Sequence, residues 1–199
     1  TPEKGVVVMV QDPINIQFQW QLSTPSFYGN PSDTEYQLAI YKILDPDVEP
    51  QNSIINNVFE MLEIQANKKN ISLLIDSKIR RVNVHADQEK IHQVLTNLIE
   101  NSIKYGKEDG TTEVSIENLV EDRFIIRITD NGKGIKKEHF ERLFERFYRV
   151  ENSGNRSTGG SGLGLAIVKH IIDAHNEKIY VESDLGVGSE FSFSLEKSN

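Results

Sequence analysis

The chain has 199 residues and a formal net charge of −8, a balance that argues against a general nucleic-acid binder and means that a polyanionic ligand needs local cations or a metal. Hydrophobic residues make up 37% and charged residues 26%, the proportions of one globular domain with or without an appendage. No apolar run reaches the length of a membrane span, and the absence of cysteine excludes disulfides and thiolate metal sites.

The start, Thr1-Pro2-Glu3-Lys4, lacks the pattern of a secretion signal, and the missing initial Met is what a fragment is expected to show. In residues 1–50, Ile14, Ile16, Phe18, Trp20 and Leu22 alternate with polar residues, and Tyr36, Leu38 and Ile40 do so again. That two-residue period predicts two strands of a small β unit on either side of a loop at 23–34, an accessory segment without an assigned role. Pro46 and Pro50 mark a boundary, so a second domain is expected over 51–199.

Asn52 or Ser53 stands where a cap belongs for a helix whose apolar stripe takes in Ile54, Ile55, Val58, Met61, Leu62, Ile64 and Ala66. Lys68 and Lys69 fit its C-terminal end, where cations meet the negative end of the helix dipole, and Asn70 tolerates a left-handed turn. Residues 71–75 and 82–84 read as strands. Asp87 is a candidate N-cap for the next helix, in which Ile91, Val94, Leu95, Leu98, Ile99 and Ile103 recur at helical spacing. Asn97 and Asn101 lie four apart on one face of it, with Lys104 on or beside that face. Asn is a mediocre helix former, so two in register followed by a cation point to a polar seam facing a ligand. Amide oxygens suit Mg²⁺ and an ammonium suits phosphate. On this helix alone a solvated face explains the pattern equally well.

Residues 107–110 form a turn, and 112–119 and 123–129 each alternate, which predicts a hairpin with one buried face. Asp130-Asn131-Gly132-Lys133-Gly134 follows, either as an ordinary turn or as a place where backbone approaches a ligand closely. A short helix is expected over 137–142. The stretch 152–161 holds almost no apolar residue and is expected to be a mobile loop. Gly160, Gly162 and Gly164 then open a helix over 163–174, where backbone N–H groups and the positive end of the dipole suit an anion. No Gly-Lys-Ser/Thr follows, so this is not a Walker loop. Asn176 can close that helix in the left-handed region, and 179–181 pairs with 190–195 around Gly186-Val187-Gly188. His92, His139, His170 and His175 each stand alone on helices, and none is assigned as a phosphoacceptor.

Four motifs in order carry a resemblance: Asn-x-x-x-Asn at 97–101, Asp-x-Gly-x-Gly at 130–134, Phe-Glu-Arg-Phe at 144–147 and Gly-x-Gly-x-Gly at 160–164. Over roughly residues 50–195 the chain resembles the ATP-binding catalytic domain of sensor histidine kinases, in the superfamily that also holds DNA gyrase, heat-shock chaperone ATPases and mismatch-repair ATPases. The resemblance implies an α+β fold: a two-layer α/β sandwich, a mixed and mainly antiparallel sheet, helices on one face and a mobile ATP lid. It implies ATP and Mg²⁺ as cofactors. Asp130 would accept from the adenine amine, with Gly132, Gly134 and Ile135 beside it. Asn97 and Asn101 would lie on the polyphosphate, Asn101 ligating Mg²⁺, and Lys104 and Tyr105 would contact phosphate and ribose. Lys104 and Arg149 take the catalytic roles at the γ-phosphate, and Gly160, Gly162, Leu163, Gly164 and Leu165 line the triphosphate. Phe144, Phe147 and Tyr148 read as packing beneath the lid.

The expected activity is transfer of the γ-phosphoryl of ATP to a histidine on dimerisation helices that this chain lacks, since no His precedes His85. The fragment alone is therefore expected to be inactive. Gyrase-like hydrolases carry Glu at the position of Asn97, and an amide cannot act as a general base, so transfer is favoured over hydrolysis. A response regulator would be the downstream partner. Nucleic acid is not expected, and membrane contact would come only through other parts of a bacterial sensor whose cytoplasmic portion this is. Two alternatives stay open: a serine-directed kinase of the anti-sigma type, and a non-catalytic nucleotide-binding module. The N-terminal β-like segment departs from the family, as does His175-Asn176 where Gly-Gly is usual.

Overall fold

The computed structural model describes residues 6–9, 54–77, 81–119, 122–150 and 161–198. The strands expected near 14–22 and 36–40, the caps at Asn52 and Ser53, Gly160 and the mobile loop at 152–161 apart from Ser161 lie outside the described residues.

In chain order the elements are β1 (Val6–Met9), α1 (Ile54–Asn67), β2 (Ser72–Ser77), β3 (Arg81–Val84), α2 (Gln88–Tyr105), β4 (Thr111–Leu119), β5 (Arg123–Asp130), a 3₁₀ helix (Lys137–Arg142), α3 (Gly164–Ala174), β6 (Ile179–Asp184) and β7 (Gly188–Glu196). Five strands form one mixed sheet in the order β2-β4-β5-β7-β6. Only β2 and β4 run parallel, because α2 makes the crossover between them; the remaining pairs are antiparallel. β1 pairs with β3 in a separate two-stranded sheet, and Val84 bridges to Lys197 beyond the end of β7.

Alternation decides which face of the sheet is covered. Val114, Ile116, Phe124, Ile126, Ile128, Phe191, Phe193 and Leu195 turn inward and are buried. Against them pack Ile91, Val94, Leu95, Leu98, Ile99 and Ile103 of α2 with the apolar stripes of α1 and α3. Each such side chain contributes about 1.5–3 kcal/mol relative to exposure. The outer face is polar, with Arg127 ion-paired to Glu117 at 2.7 Å and Glu190 at 3.3 Å. The result is the two-layer sandwich with helices on one face that the resemblance implied.

Local chemistry closes the elements much as expected. Asp87 caps α2, its carboxylate accepting from Lys90 N at 3.1 Å. Asn70 and Asn176 adopt φ of 52° and 57° after α1 and α3. Two expectations fail on α1. Met61 and Ile64 do not belong to its buried stripe; Ile64 is 71% exposed, since both project from the flank of the helix rather than toward the sheet. Lys69 does not serve the end of α1. Its ammonium donates to the carbonyls of Ile103 (3.0 Å), Lys104 (2.6 Å) and Gly106 (3.4 Å), capping α2 instead.

Replacing Lys69 with Met keeps the apolar stem and removes the charge-assisted bonds to a helix C-terminus. The expected loss is about 1.5–3 kcal/mol of unfolding free energy, read from chemical denaturation midpoints at constant slope. A loss under about 0.5 kcal/mol, the range of an ordinary surface change, would remove this capping role.

Candidate functional site

Asp130 ends β5, and the residue is 8% exposed. Gly132 N donates to it at 2.8 Å. Burial pushes the carboxyl above the ordinary carboxylate range, and the backbone N–H groups of Gly132 and Ser189 work against that rise. The loop that follows is pinned on both sides. Lys133 N donates to Tyr105 O at 3.3 Å at the end of α2, and Gly186 N donates to Lys133 O at 2.7 Å from the β6–β7 turn. Gly134 has φ of 67°, and a Cβ there would lie 2.0 Å from Asp184 O, so only glycine fits. Ile135 packs partly buried against the core.

Across the cleft, α3 runs antiparallel to α2. At its far end Asp87 N donates to His175 Nε2 at 3.1 Å while His175 Nδ1 lies 2.8 Å from Ile171 O; a proton on Nδ1 satisfies both contacts. His175 is thus a fastener between helices, not a solitary helical residue. At the near end Gly164 abuts the asparagine pair: a Cβ on it would lie 2.9 Å from Asn97 Oδ1 and 3.9 Å from Asn101 Nδ2. Asn97 Nδ2 donates to Gln93 O at 2.8 Å, which leaves its carbonyl turned toward α3. The start of α3 has no acidic residue in its first turn and no side-chain cap at Leu163. Its N–H groups therefore point, with the positive end of the dipole, at the asparagine face.

Lys104 Nζ lies 5.1 Å from the centroid of the Tyr105 ring, and Tyr105 is exposed. Leu165 packs on the core beneath α3. Phe147 N donates to Gly162 O at 2.8 Å, which ties the segment just before Arg149 to the loop that opens α3. Of the three aromatic residues expected beneath a lid, Phe144 packs edge-on against Phe191, and Tyr148 OH lies 2.7 Å from His139 Nδ1. Phe147 is instead 71% exposed at φ of 66°. Glu100, three residues after Asn97, is exposed.

A row of polar residues crosses the sheet at this end, and sequence reading missed it. Thr112, Asp130, Ser189 and Ser183 are register partners on four adjacent strands. The next rows inward are apolar: Val114, Ile128, Phe191 and Val181, then Ile116, Ile126, Phe193 and Ile179. Thr112 Oγ1 lies 2.6 Å from Ser102 Oγ of α2, so the row is tied to the helix that carries Asn101. In sequence these are single small polar residues on alternating strands; only the register places them side by side.

Residues 86–199 match the family described as histidine kinase-, DNA gyrase B-, and HSP90-like ATPase. The chain is 40% identical over 144 residues to the sensor histidine kinase WalK of Bacillus subtilis (strain 168), covering 72% of this chain and 23% of that protein. It thus spans about a quarter of that relative's length. Among solved structures it resembles the nucleotide-free catalytic domain of histidine kinase ThkA, with TM-score 0.62 and 30% identity over 72% of this chain and 90% of that one. It also resembles ThkA in complex with the response regulator protein TrrA, with TM-score 0.61 and 28% identity over 73% of this chain and 40% of that one.

Proposed function

The chain belongs to the histidine kinase-, DNA gyrase B- and HSP90-like ATPase family, and we propose that its domain binds Mg·ATP and donates the γ-phosphoryl to a histidine elsewhere in a sensor kinase. The single observation that carries this is the meeting of α3 with α2. Gly164 brings a helix N-terminus, with no side-chain cap at Leu163, onto the face that holds Asn97 and Asn101. Triphosphate oxygens fit that junction, and the adenine amine fits the buried Asp130 carboxylate.

Asn101 would ligate Mg²⁺ through its amide oxygen. Among the described residues no group of three or more His, Asp or Glu side chains is gathered for a metal, so phosphate oxygens and water would complete the shell. The ion neutralises charge on the polyphosphate when bound. Lys104 and Arg149 add positive charge at the transferring group, with Tyr105 at the ribose. Gly132, Gly134 and Ile135 form the wall beside the base, and Gly162, Leu163 and Leu165 set the start of α3. Asn97 cannot take a proton from water, and Glu100, three residues on, is exposed at the edge of that face. The site therefore positions ATP for a delivered nucleophile rather than for hydrolysis.

The sensor-kinase relatives favour this reading over a serine-directed kinase or a non-catalytic module. Phosphoacceptor dimerisation helices and a response regulator are the proposed partners. No helix among the described residues is long and apolar enough to cross a membrane, and a cytoplasmic position within a membrane-bound sensor is the proposed setting. The test is transfer from γ-labelled ATP to an added helical hairpin bearing the phosphoacceptor histidine. Acid-labile label on the hairpin is expected, and label on serine alone would overturn the proposal. In calorimetry Asn101→Ala should weaken Mg·ATP about tenfold or more while metal-free nucleotide changes little, as loss of one charge-assisted contact implies. Equal losses in both conditions would remove the metal-ligand role.

A further inference from the structure

The Ser183 hydroxyl lies at the end of the polar row and makes three contacts. It accepts from Ile135 N at 2.8 Å, donates to Gly188 O at 2.7 Å and lies 3.0 Å from Ser189 Oγ. A serine hydroxyl has one proton and two acceptor lone pairs. The proton goes to Gly188 O, because a carbonyl cannot donate. One lone pair takes the Ile135 amide, so the contact with Ser189 must be filled by the Ser189 proton. The complement of Ser183 is then complete, and Ser189 is left with acceptor capacity only.

Ser189 is the direct cross-strand partner of Asp130 and shares its inward face. Two acceptors, a carboxylate and a hydroxyl whose proton is committed, therefore stand side by side at the base-binding end of the cleft. The same oxygen of Ser183 also holds the amide of Ile135, and so the wall after Gly134. We infer that Ser183 is a positioning residue for nucleotide specificity. It fixes the cleft wall at Ile135 and polarises Ser189 as an acceptor, so that the site takes a 6-amino purine and rejects a 6-oxo purine. This rests on the proposal that the cleft binds ATP. Ser183 itself need not touch the base.

The probes are ADP and IDP, which differ in the 6-substituent and in the N1 proton that the 6-oxo form carries, titrated in calorimetry against the chain and its Ser183→Ala and Ser183→Thr variants. Ser183→Ala should weaken ADP about tenfold, the effect of leaving one or two buried partners unsatisfied, and should shrink the ADP-to-IDP preference. Ser183→Thr, which keeps the hydroxyl and suits a strand, should restore both. Hydrogen exchange gives a readout independent of ligand: the Ile135 amide should be slow in the parent and in Ser183→Thr, and fast in Ser183→Ala, while core amides of α2 stay protected. A Ser183→Ala variant with the parent's ADP-to-IDP ratio, or with a protected Ile135 amide, overturns the inference. Failure of the parent chain to bind ADP at all would instead overturn the ATP-site proposal on which it stands.

Discussion

Asp130→Asn is expected to remove most adenine-nucleotide binding and, at pH above the raised folded-state value of the Asp130 carboxyl, to make the nucleotide-free domain more resistant to heat. The amide oxygen of Asn can still accept from Gly132 N, so the loop keeps its turn. The amide nitrogen then faces the base, where donor meets the donor of the adenine amine. The loss is about 1.5–3 kcal/mol, or ten- to hundredfold in affinity, as for a hydrogen bond to a charged group. The stability gain has a different origin. Burial raises the Asp130 carboxyl above its ordinary value in the folded state. The stabilisation associated with its proton is therefore present below the unfolded-state value and is lost as pH rises through the raised folded-state value. Above that raised value the domain carries a buried charge that Asn removes.

The advantage of the variant should shrink toward zero on acidification, as the parent takes up its proton. Nucleotide binding by the parent runs the other way. It should begin to weaken while pH is still above the ordinary carboxylate range, because protonation turns one acceptor oxygen into a donor. Thermal melts and ADP titrations of both proteins across this range give the two curves. Parallel stability curves for parent and variant would show that Asp130 is not the group that titrates.

Gly134→Ala is expected to cost more stability than any other small change at the site. A side chain at φ of 67° costs about 1–3 kcal/mol in strain. The added Cβ would also lie 2.0 Å from Asp184 O and 2.7 Å from Asp184 C, which are backbone atoms with no rotamer to change. Overpacking of that kind adds about 1–3 kcal/mol. Displacing the β6–β7 turn would further weaken the bond from Gly186 N to Lys133 O. Together about 2–6 kcal/mol is expected, a lowering of the melting temperature of roughly 5–20 °C for a domain of this size. Gly186→Ala is the matched control. Gly186 has φ of 82° but nothing within 4 Å of its Cβ position, so that variant should show only the strain. Equal melting temperatures for the two variants would mean that the close approach at Gly134 is not a constraint.

What the sequence determined by itself was local or periodic. Six apolar residues at helical spacing placed α2, alternation placed β4 and β5, and Asp87, Asn70 and Asn176 closed their turns as their side-chain chemistry demands. The asparagine pair was legible as a shared face, because a four-residue spacing is a property of the helix alone. Tertiary structure decided which partner each exposed group would find. Lys69 caps the end of α2 rather than that of α1, since its ammonium reaches three carbonyls more than thirty residues away. Met61 and Ile64 read as stripe but stay exposed, outside the packed face of α1. His175 looked solitary until α3 packed against α2. The row of Thr112, Asp130, Ser189 and Ser183 exists only through the register of four strands. Register is set by long-range pairing, and a shift of one residue in any of these strands would turn that strand's member of the row to the other face. Periodicity reports which side of an element is covered; it carries no information about which distant element does the covering.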